Sequence, residues 1–223
     1  MPAICFMTTL LISKQIDNYA EKYTSAELPF LAALNRETNM KRGDAVMLSG
    51  NLQGAFLQML SNMIRPRRIL EIGTFTGYSA ICLAQGLTDD GHLHTIEIDE
   101  ELHAMADKYI QAAQLQDKIT LHTGTGADII PTLNEKFDLV FIDADKPNYE
   151  SYYDLVFDKV PVGGYIIADN VLYDGEVVLP EDEQGKNSKA IHRFNQKIKA
   201  DNRIAHVLVP LRDGLMIVRK TAN

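Results

Sequence analysis

Two rhythms divide the chain. Tyr19, Leu28, Leu31 and Leu34, then Phe56, Leu57, Leu60 and Ile64, recur at three- and four-residue spacings, which gathers side chains on one face of an α-helix. Arg65-Pro66 closes this stretch, because proline has no N–H to give a helix interior. Beyond it, short apolar or β-branched runs predict strands at Arg68 to Ile72, Leu93 to Ile98, Ile119 to Thr123, Phe137 to Ile142 and Tyr165 to Ala168. Helical patterns separate them at Tyr78 to Gln85, Glu101 to Ala113, Ala127 to Leu133 and Tyr149 to Val160. Regular alternation of strand and helix implies right-handed crossovers and a mostly parallel sheet covered on both faces. A polar loop, Tyr173 to Asn187, leads to a helix at Lys189 to Ala200 and two strands, Ile204 to Val209 and Leu215 to Arg219. Pro210, Arg212, Asp213 and Gly214 read as a hairpin, so the last strand should run antiparallel to its neighbour. The expected fold class is α/β, a doubly wound sheet with extra N-terminal helices. Residues 1–64 form the helices and 65–223 the core of one domain. The helices should pack on the sheet or on a second subunit.

Composition narrows the function classes. With 223 residues, 46% apolar and 23% charged, the chain can bury a core without staples. No repeat or low-complexity segment occurs. The longest apolar run is four or five residues, against roughly 20 for a membrane-spanning helix. Met1 to Ile12 is mildly apolar but has neither a positive n-region nor a small-residue cleavage site, so no signal peptide is expected. Cys5 and Cys82 have no metal spacing and no disulfide framework, consistent with a reducing, cytoplasmic setting and with small buried side chains. A net charge of −8 argues against a chain-wide grip on nucleic acid or anionic lipid. Lys41 with Arg42, and Arg65 with Arg67 and Arg68, are the only basic clusters and read as solvated element ends.

Candidate chemistry sits at strand ends. Glu71-Ile72-Gly73-Thr74-Phe75-Thr76-Gly77-Tyr78-Ser79 lies where a buried strand turns into a helix, the place where doubly wound sheets bind ligands. Its G-x-x-x-G spacing differs from the pyrophosphate-binding G-x-G-x-x-G, and Glu71 would repel a phosphate. A nucleoside ligand with positive charge fits better. One strand later Glu97 closes Thr95-Ile96-Glu97, where an acid can accept two hydrogen bonds from a ribose diol. Taken singly, each signal also reads as a tight turn or a helix cap; together they point to S-adenosylmethionine.

Phe141-Ile142-Asp143-Ala144-Asp145-Lys146 and Ile167-Ala168-Asp169-Asn170 end adjacent predicted strands, so Asp143, Asp169 and Asn170 should share one rim. Oxygen-only ligands suit a hard divalent cation such as Mg²⁺. From about Tyr19 to Arg219 the chain resembles the small, cation-dependent class I O-methyltransferases. That group includes catechol, caffeoyl-CoA and many bacterial enzymes. The resemblance rests on the segments just quoted together with Glu97-Ile98-Asp99 and Gly163-Gly164.

The resemblance implies a Rossmann-like sheet of seven strands, S-adenosylmethionine as methyl donor, and Mg²⁺ or another hard cation such as Mn²⁺ or Ca²⁺. It implies Asp143, Asp169 and Asn170 as metal ligands, and Glu71, Gly73 and Ser79 at the methionine end of the donor. Glu97 falls at the ribose, Ala127 at the adenine, and Ser49, Asp143 and Asp145 at further donor contacts. Lys146 matches the general base, which must be neutral although a free lysine titrates near 10.4; Lys146 is also a candidate hydrogen-bond donor or salt-bridge partner of Asp145. Lys146, Asp169, Asn170, Tyr173 and Asp174 should meet the acceptor, a vicinal aromatic diol, with the acidic loop through Glu183 shaping its pocket. The family also favours a homodimer. Alternatives are methylation of a hydroxylated uridine in transfer RNA, served by the basic clusters, and a non-catalytic cofactor-binding module. His92 and His94 share a strand face but lack a third ligand type, so surface or edge positions are expected rather than a metal.

Overall fold

The computed structural model describes residues 13–223; Cys5 and the Met1 to Ile12 segment lie outside the described residues. Three helices come first: α1 (Lys14–Tyr23), α2 (Pro29–Lys41) and α3 (Gly50–Ile64). The core then alternates β1 (Arg68–Ile72), α4 (Tyr78–Ala84), β2 (His92–Glu97), α5 (Glu100–Ala112), β3 (Ile119–Thr123), α6 (Gly126–Ile129), β4 (Leu139–Ile142), α7 (Tyr149–Phe157), β5 (Tyr165–Ala168), α8 (Lys186–Ala200), β6 (Ile204–Val209) and β7 (Leu215–Lys220).

The seven strands form one sheet in the order β3-β2-β1-β4-β5-β7-β6. The first five are parallel, and β7 inserts between β5 and β6, antiparallel to both. The central strands are buried along almost their whole length, as a sheet covered on both faces requires. One face packs Ile72, Val140 and Ile166 against Tyr149, Tyr153 and Phe194 of α7 and α8. The other packs Ile69, Leu139 and Ile167 against residues of α2 to α5, including Leu34, Leu57 and Ile81. Cys82 lies in that second layer, buried and without a disulfide among the described residues. Thr38 of α2 bonds Thr76, and the Tyr109 hydroxyl donates to Ala33 O and Glu37. The second and third N-terminal helices therefore pack on the sheet domain, while α1 buries no residue of its own. Among the described residues no helix is long and apolar enough to cross a membrane.

Several boundaries move. The predicted helix from Ala127 stops at Ile129 and becomes a 3-10 turn, Ile130–Thr132, because Pro131 cannot donate onward. The predicted loop Tyr173 to Asn187 contains a 3-10 segment, Tyr173–Val178, and α8 begins at Lys186. The added start of α8, Lys186-Asn187-Ser188, carries no apolar residue, and Val177 and Val178 are adjacent and set no helical spacing in the 3-10 segment.

His92 and His94 are not at a sheet edge, since β2 lies between β1 and β3, and both side chains are partly exposed. His94 Nδ1 lies 2.9 Å from His122 Nε2 of β3, and its Nε2 lies 3.3 Å from Glu135. Burial lowers the pKa of His92, His94 and His122. An unfolded histidine, titrating near 6.5, then takes up protons before the folded one does. The stability from these neutral histidines is fully present above about pH 6.5 and is lost as pH falls below it. Denaturant titrations should show stability declining from pH 7.5 to 5, and His94→Asn should flatten that decline. An unaltered slope in the variant would remove the histidines as its source.

Candidate active site

Four strand ends build the site, because parallel strands all release their chains at one rim. Gly73 follows β1 with φ +99, and a Cβ there would lie 1.8 Å from Asp143 O. Only glycine allows this approach, so the turns after β1 and β4 interlock. The same peptides are tied by hydrogen bonds from Asp143 N to Ile72 O (2.8 Å) and from Asp169 N to Ile142 O (2.9 Å).

On the β1 side, Glu71 is fully buried. Its Oε2 accepts from the Thr95 hydroxyl (2.5 Å), itself 2.5 Å from the Thr74 hydroxyl, and its Oε1 has no hydrogen-bond partner among the described residues. Burial pushes the Glu71 carboxyl up to about 8, against the opposing pull of the Ser79 and Thr95 hydroxyls. An orphaned buried carboxylate oxygen suits an incoming ammonium or sulfonium, which would draw it back to the ionised form. Glu97 accepts from the N–H of Phe75 (2.7 Å), Ile98 (2.9 Å) and Asp99 (3.0 Å). That clamp fixes its carboxylate at the rim where a ribose diol is expected.

Gly126, the residue before Ala127, and Asp145 both meet one tyrosine. A Cβ at Gly126 would lie 2.8 Å from the Tyr152 ring, and the Tyr152 hydroxyl donates to Asp145 Oδ1 (2.6 Å). Asp145 Oδ2 accepts from Asn148 (2.5 Å). Lys146 therefore does not pair with Asp145: Tyr152 and Asn148 hold that carboxylate away from it. Ser49 opens α3, and its carbonyl accepts from Arg212.

On the β4 and β5 side, the Lys146 ammonium lies 3.2 Å from Asp143 Oδ1, 2.7 Å from Asn170 Oδ1 and 2.7 Å from the Tyr149 hydroxyl. Burial opposes its charge, but Tyr149, Asp143 and Asp169 outweigh burial and hold Lys146 above the usual lysine range. Asp169 is 3% exposed; burial and the Asp143 charge push its carboxyl up to about 7. Its Oδ1 accepts from Asn170 N (2.7 Å) and its Oδ2 from Gln53 Nε2 (2.5 Å). Asp143 and Asn170 thus converge on a single positive group, with Asp169 next to Asn170 at the end of β5. Among the described residues no cluster of three or more His, Cys, Asp or Glu side chains is suited to a metal; this set is two carboxylates and an amide. Oxygen donors converging on an ammonium fit a hard divalent cation. Asn170 holds φ 56, a left-handed conformation that asparagine tolerates.

The predicted acceptor residues Tyr173 and Asp174 follow Asn170 closely in the chain after β5. Tyr173 takes a hydrogen bond from Asn187 (2.8 Å), and Asp174 N donates to Asp213 Oδ1 (2.6 Å). Sequence reasoning missed Gln53, Tyr149, Arg212 and Asp213. Tyr149 reads as a helix start and the last two as turn residues, and nothing in the pattern of α3 marks Gln53.

A buried carboxylate oxygen without a partner among the described residues shares one rim with oxygens gathered about an ammonium, an arrangement that fits a group-transfer enzyme working on a charged donor. A sequence profile described as O-methyltransferase matches residues 21–221. The catechol O-methyltransferase of Niastella koreensis is 36% identical over 197 residues, covering 86% of this chain and 88% of that protein. Caffeoyl-CoA O-methyltransferase 1 of Eucalyptus globulus is 35% identical over 195 residues, covering 83% of this chain and 79% of that protein. The Bacillus cereus O-methyltransferase, solved with SAH, superposes with TM-score 0.80 at 32% identity, covering 92% of this chain and 97% of that one. The chain belongs to the O-methyltransferase family, whose members move a methyl group from S-adenosylmethionine to oxygen.

Proposed function

We propose that this enzyme, a single catalytic domain, moves the methyl group of S-adenosylmethionine to one hydroxyl of a small vicinal aromatic diol, with a divalent cation. The observation that carries this reading is the convergence of Asp143 Oδ1 and Asn170 Oδ1 on one cationic point, with Asp169 beside it. Asp143, Asp169 and Asn170 would hold Mg²⁺, Mn²⁺ or Ca²⁺, which when bound acidifies a chelated hydroxyl and fixes its orientation. The buried Glu71 oxygen would take the donor's ammonium, Glu97 its ribose, and the edge near Ala127 and Asp145 its adenine. The donor's methyl group is thereby brought to the cradle for in-line attack, where orientation alone is worth several kcal/mol. Lys146 Nζ is placed to receive the hydroxyl proton. Held between Asp143 and Asn170 it is charged, so acting as a base requires those two oxygens to turn to the cation instead. The loop holding Tyr173 and Asp174 borders the acceptor. Residues exposed by more than half on the N-terminal helices and the turn after α2, among them Tyr19, Tyr23, Val46 and Met63, support a homodimer, and the buried free thiol of Cys82 suits the cytoplasm.

Transfer RNA is the weaker reading. Of the two basic clusters, Lys41, Arg42, Arg67 and Arg68 are each paired with a carboxylate, at 2.7, 2.8, 2.9 and 2.5 Å, and Arg65 has no ion pair among the described residues. An acceptor panel of catechol, caffeate, caffeoyl-CoA, a flavonoid diol and hydroxyuridine RNA decides between them. Labelled methyl should enter the diols and not RNA, and EDTA should abolish transfer. Lys146→Ala should lower kcat by about 10²- to 10⁴-fold, the usual worth of a positioned proton acceptor. Label in RNA alone, or turnover indifferent to chelator, would reverse the assignment. A near wild-type rate in Lys146→Ala would remove the base role only.

A further inference from the structure

Helix α3 reaches into the cation cradle through one side chain. Gln53 is 1% exposed, and its Nε2 donates to Asp169 Oδ2 at 2.5 Å. Its Oε1 faces Arg212 Nη1 at 3.5 Å, and that guanidinium is anchored on Leu48 O (2.9 Å) and Ser49 O. The chemistry fixes which way the amide points: an ionised carboxylate only accepts and a guanidinium only donates, so the reversed amide would satisfy neither. A buried amide is costly where an aliphatic side chain would pack as well. What offsets the cost is the bond to Asp169, of the stronger, charge-assisted kind. With Asp169 Oδ1 already held by Asn170 N, the Gln53 bond fixes the remaining freedom of the carboxylate plane.

We propose that Gln53, braced by Arg212 of the β6–β7 hairpin, is a positioning residue that aims the Asp169 carboxylate and sets the enzyme's affinity for its divalent cation. The inference rests on the cation reading above. Partners that orient a metal ligand from behind are typically worth about 10- to 100-fold in metal affinity, without touching metal, donor or acceptor. The competing explanation, that Gln53 merely packs α3 on the sheet, predicts loss of stability with no preference among ligands.

The test is Mn²⁺ binding by electron paramagnetic resonance, without donor or acceptor, on wild type, Gln53→Leu and Arg212→Met. Gln53→Leu should weaken Mn²⁺ about 10- to 100-fold while the Kd for S-adenosylmethionine stays within about twofold. Half-maximal activity should require correspondingly more Mg²⁺, with kcat largely recovered at saturating metal. Arg212→Met, which leaves the amide in place but unbraced, should shift Mn²⁺ affinity the same way by a smaller factor. A folded Gln53→Leu that binds Mn²⁺ like wild type overturns the proposal and leaves the cation reading intact. Should Gln53→Leu not fold, an unchanged Mn²⁺ affinity in Arg212→Met overturns it instead. Wild type that binds no Mn²⁺ removes the cation reading and this inference together.

Discussion

Asp169→Ala is expected to lower kcat/KM for a catechol acceptor by about 10³-fold, equivalent to about 4 kcal/mol of transition-state stabilisation, while S-adenosylmethionine still binds. Asp169 is the most buried of the three cation-facing groups. Ionised, it supplies one of the two full charges of the set, Asp143 supplying the other and Asn170 only a dipole, so its removal takes away much of the attraction for a doubly charged ion. The fold should survive. The substitution empties a small space at a strand end and relieves the repulsion from Asp143 that now helps raise the Asp169 carboxyl to about 7. Steady-state kinetics, circular dichroism and donor calorimetry on one preparation make the comparison. Full activity would mean that the cradle is not where the reaction occurs; a variant that binds neither donor nor acceptor would mean that Asp169 holds the fold.

Gly73→Ala carries the second large effect, and here the backbone gives way. The new Cβ would fall 1.8 Å from the Asp143 carbonyl oxygen, at φ +99. The left-handed conformation alone costs an alanine about 1 to 2 kcal/mol, and the clash is with main chain, which cannot rotate aside. The variant should lose more than about 3 kcal/mol of stability, or about 6 to 12 °C in Tm for a chain of this size. If it folds, the turns after β1 and β4 must part, carrying Glu71 away from Asp143. Donor affinity and cation affinity should then fall together. A variant with unchanged Tm and unchanged affinity for both ligands would show that the two turns are not interlocked.

The strand ends were legible because their evidence is local. Apolar runs closing in Glu71, Glu97, Asp143 and Asp169 announce both a buried strand and the polar group it delivers. What could not be read were contacts made across the sequence. Gln53 stands 116 positions before Asp169, on a helix whose pattern reveals its buried face but not its target. His122 completes a histidine group only because β3 lies beside β2. The sequence offered Asp145 as the ion-pair partner of Lys146, but Tyr152 and Asn148 occupy that carboxylate and the pair forms with Asp143 instead. Lengths failed where ordinary periodicity is absent, as at Pro131 and the polar start of α8.

The insertion of β7 between β5 and β6 bears on how the chain comes off the ribosome. Until Leu215–Lys220 has emerged, β5 presents an unpaired edge and β6 has nothing to join, the condition in which nascent sheets are most open to misassembly. The hairpin that closes this gap also brings Arg212 to α3 and Asp213 to Asp174. Emergence of this segment therefore completes the sheet and anchors Asp174 on the hairpin in one event, and a chain stalled before it has neither.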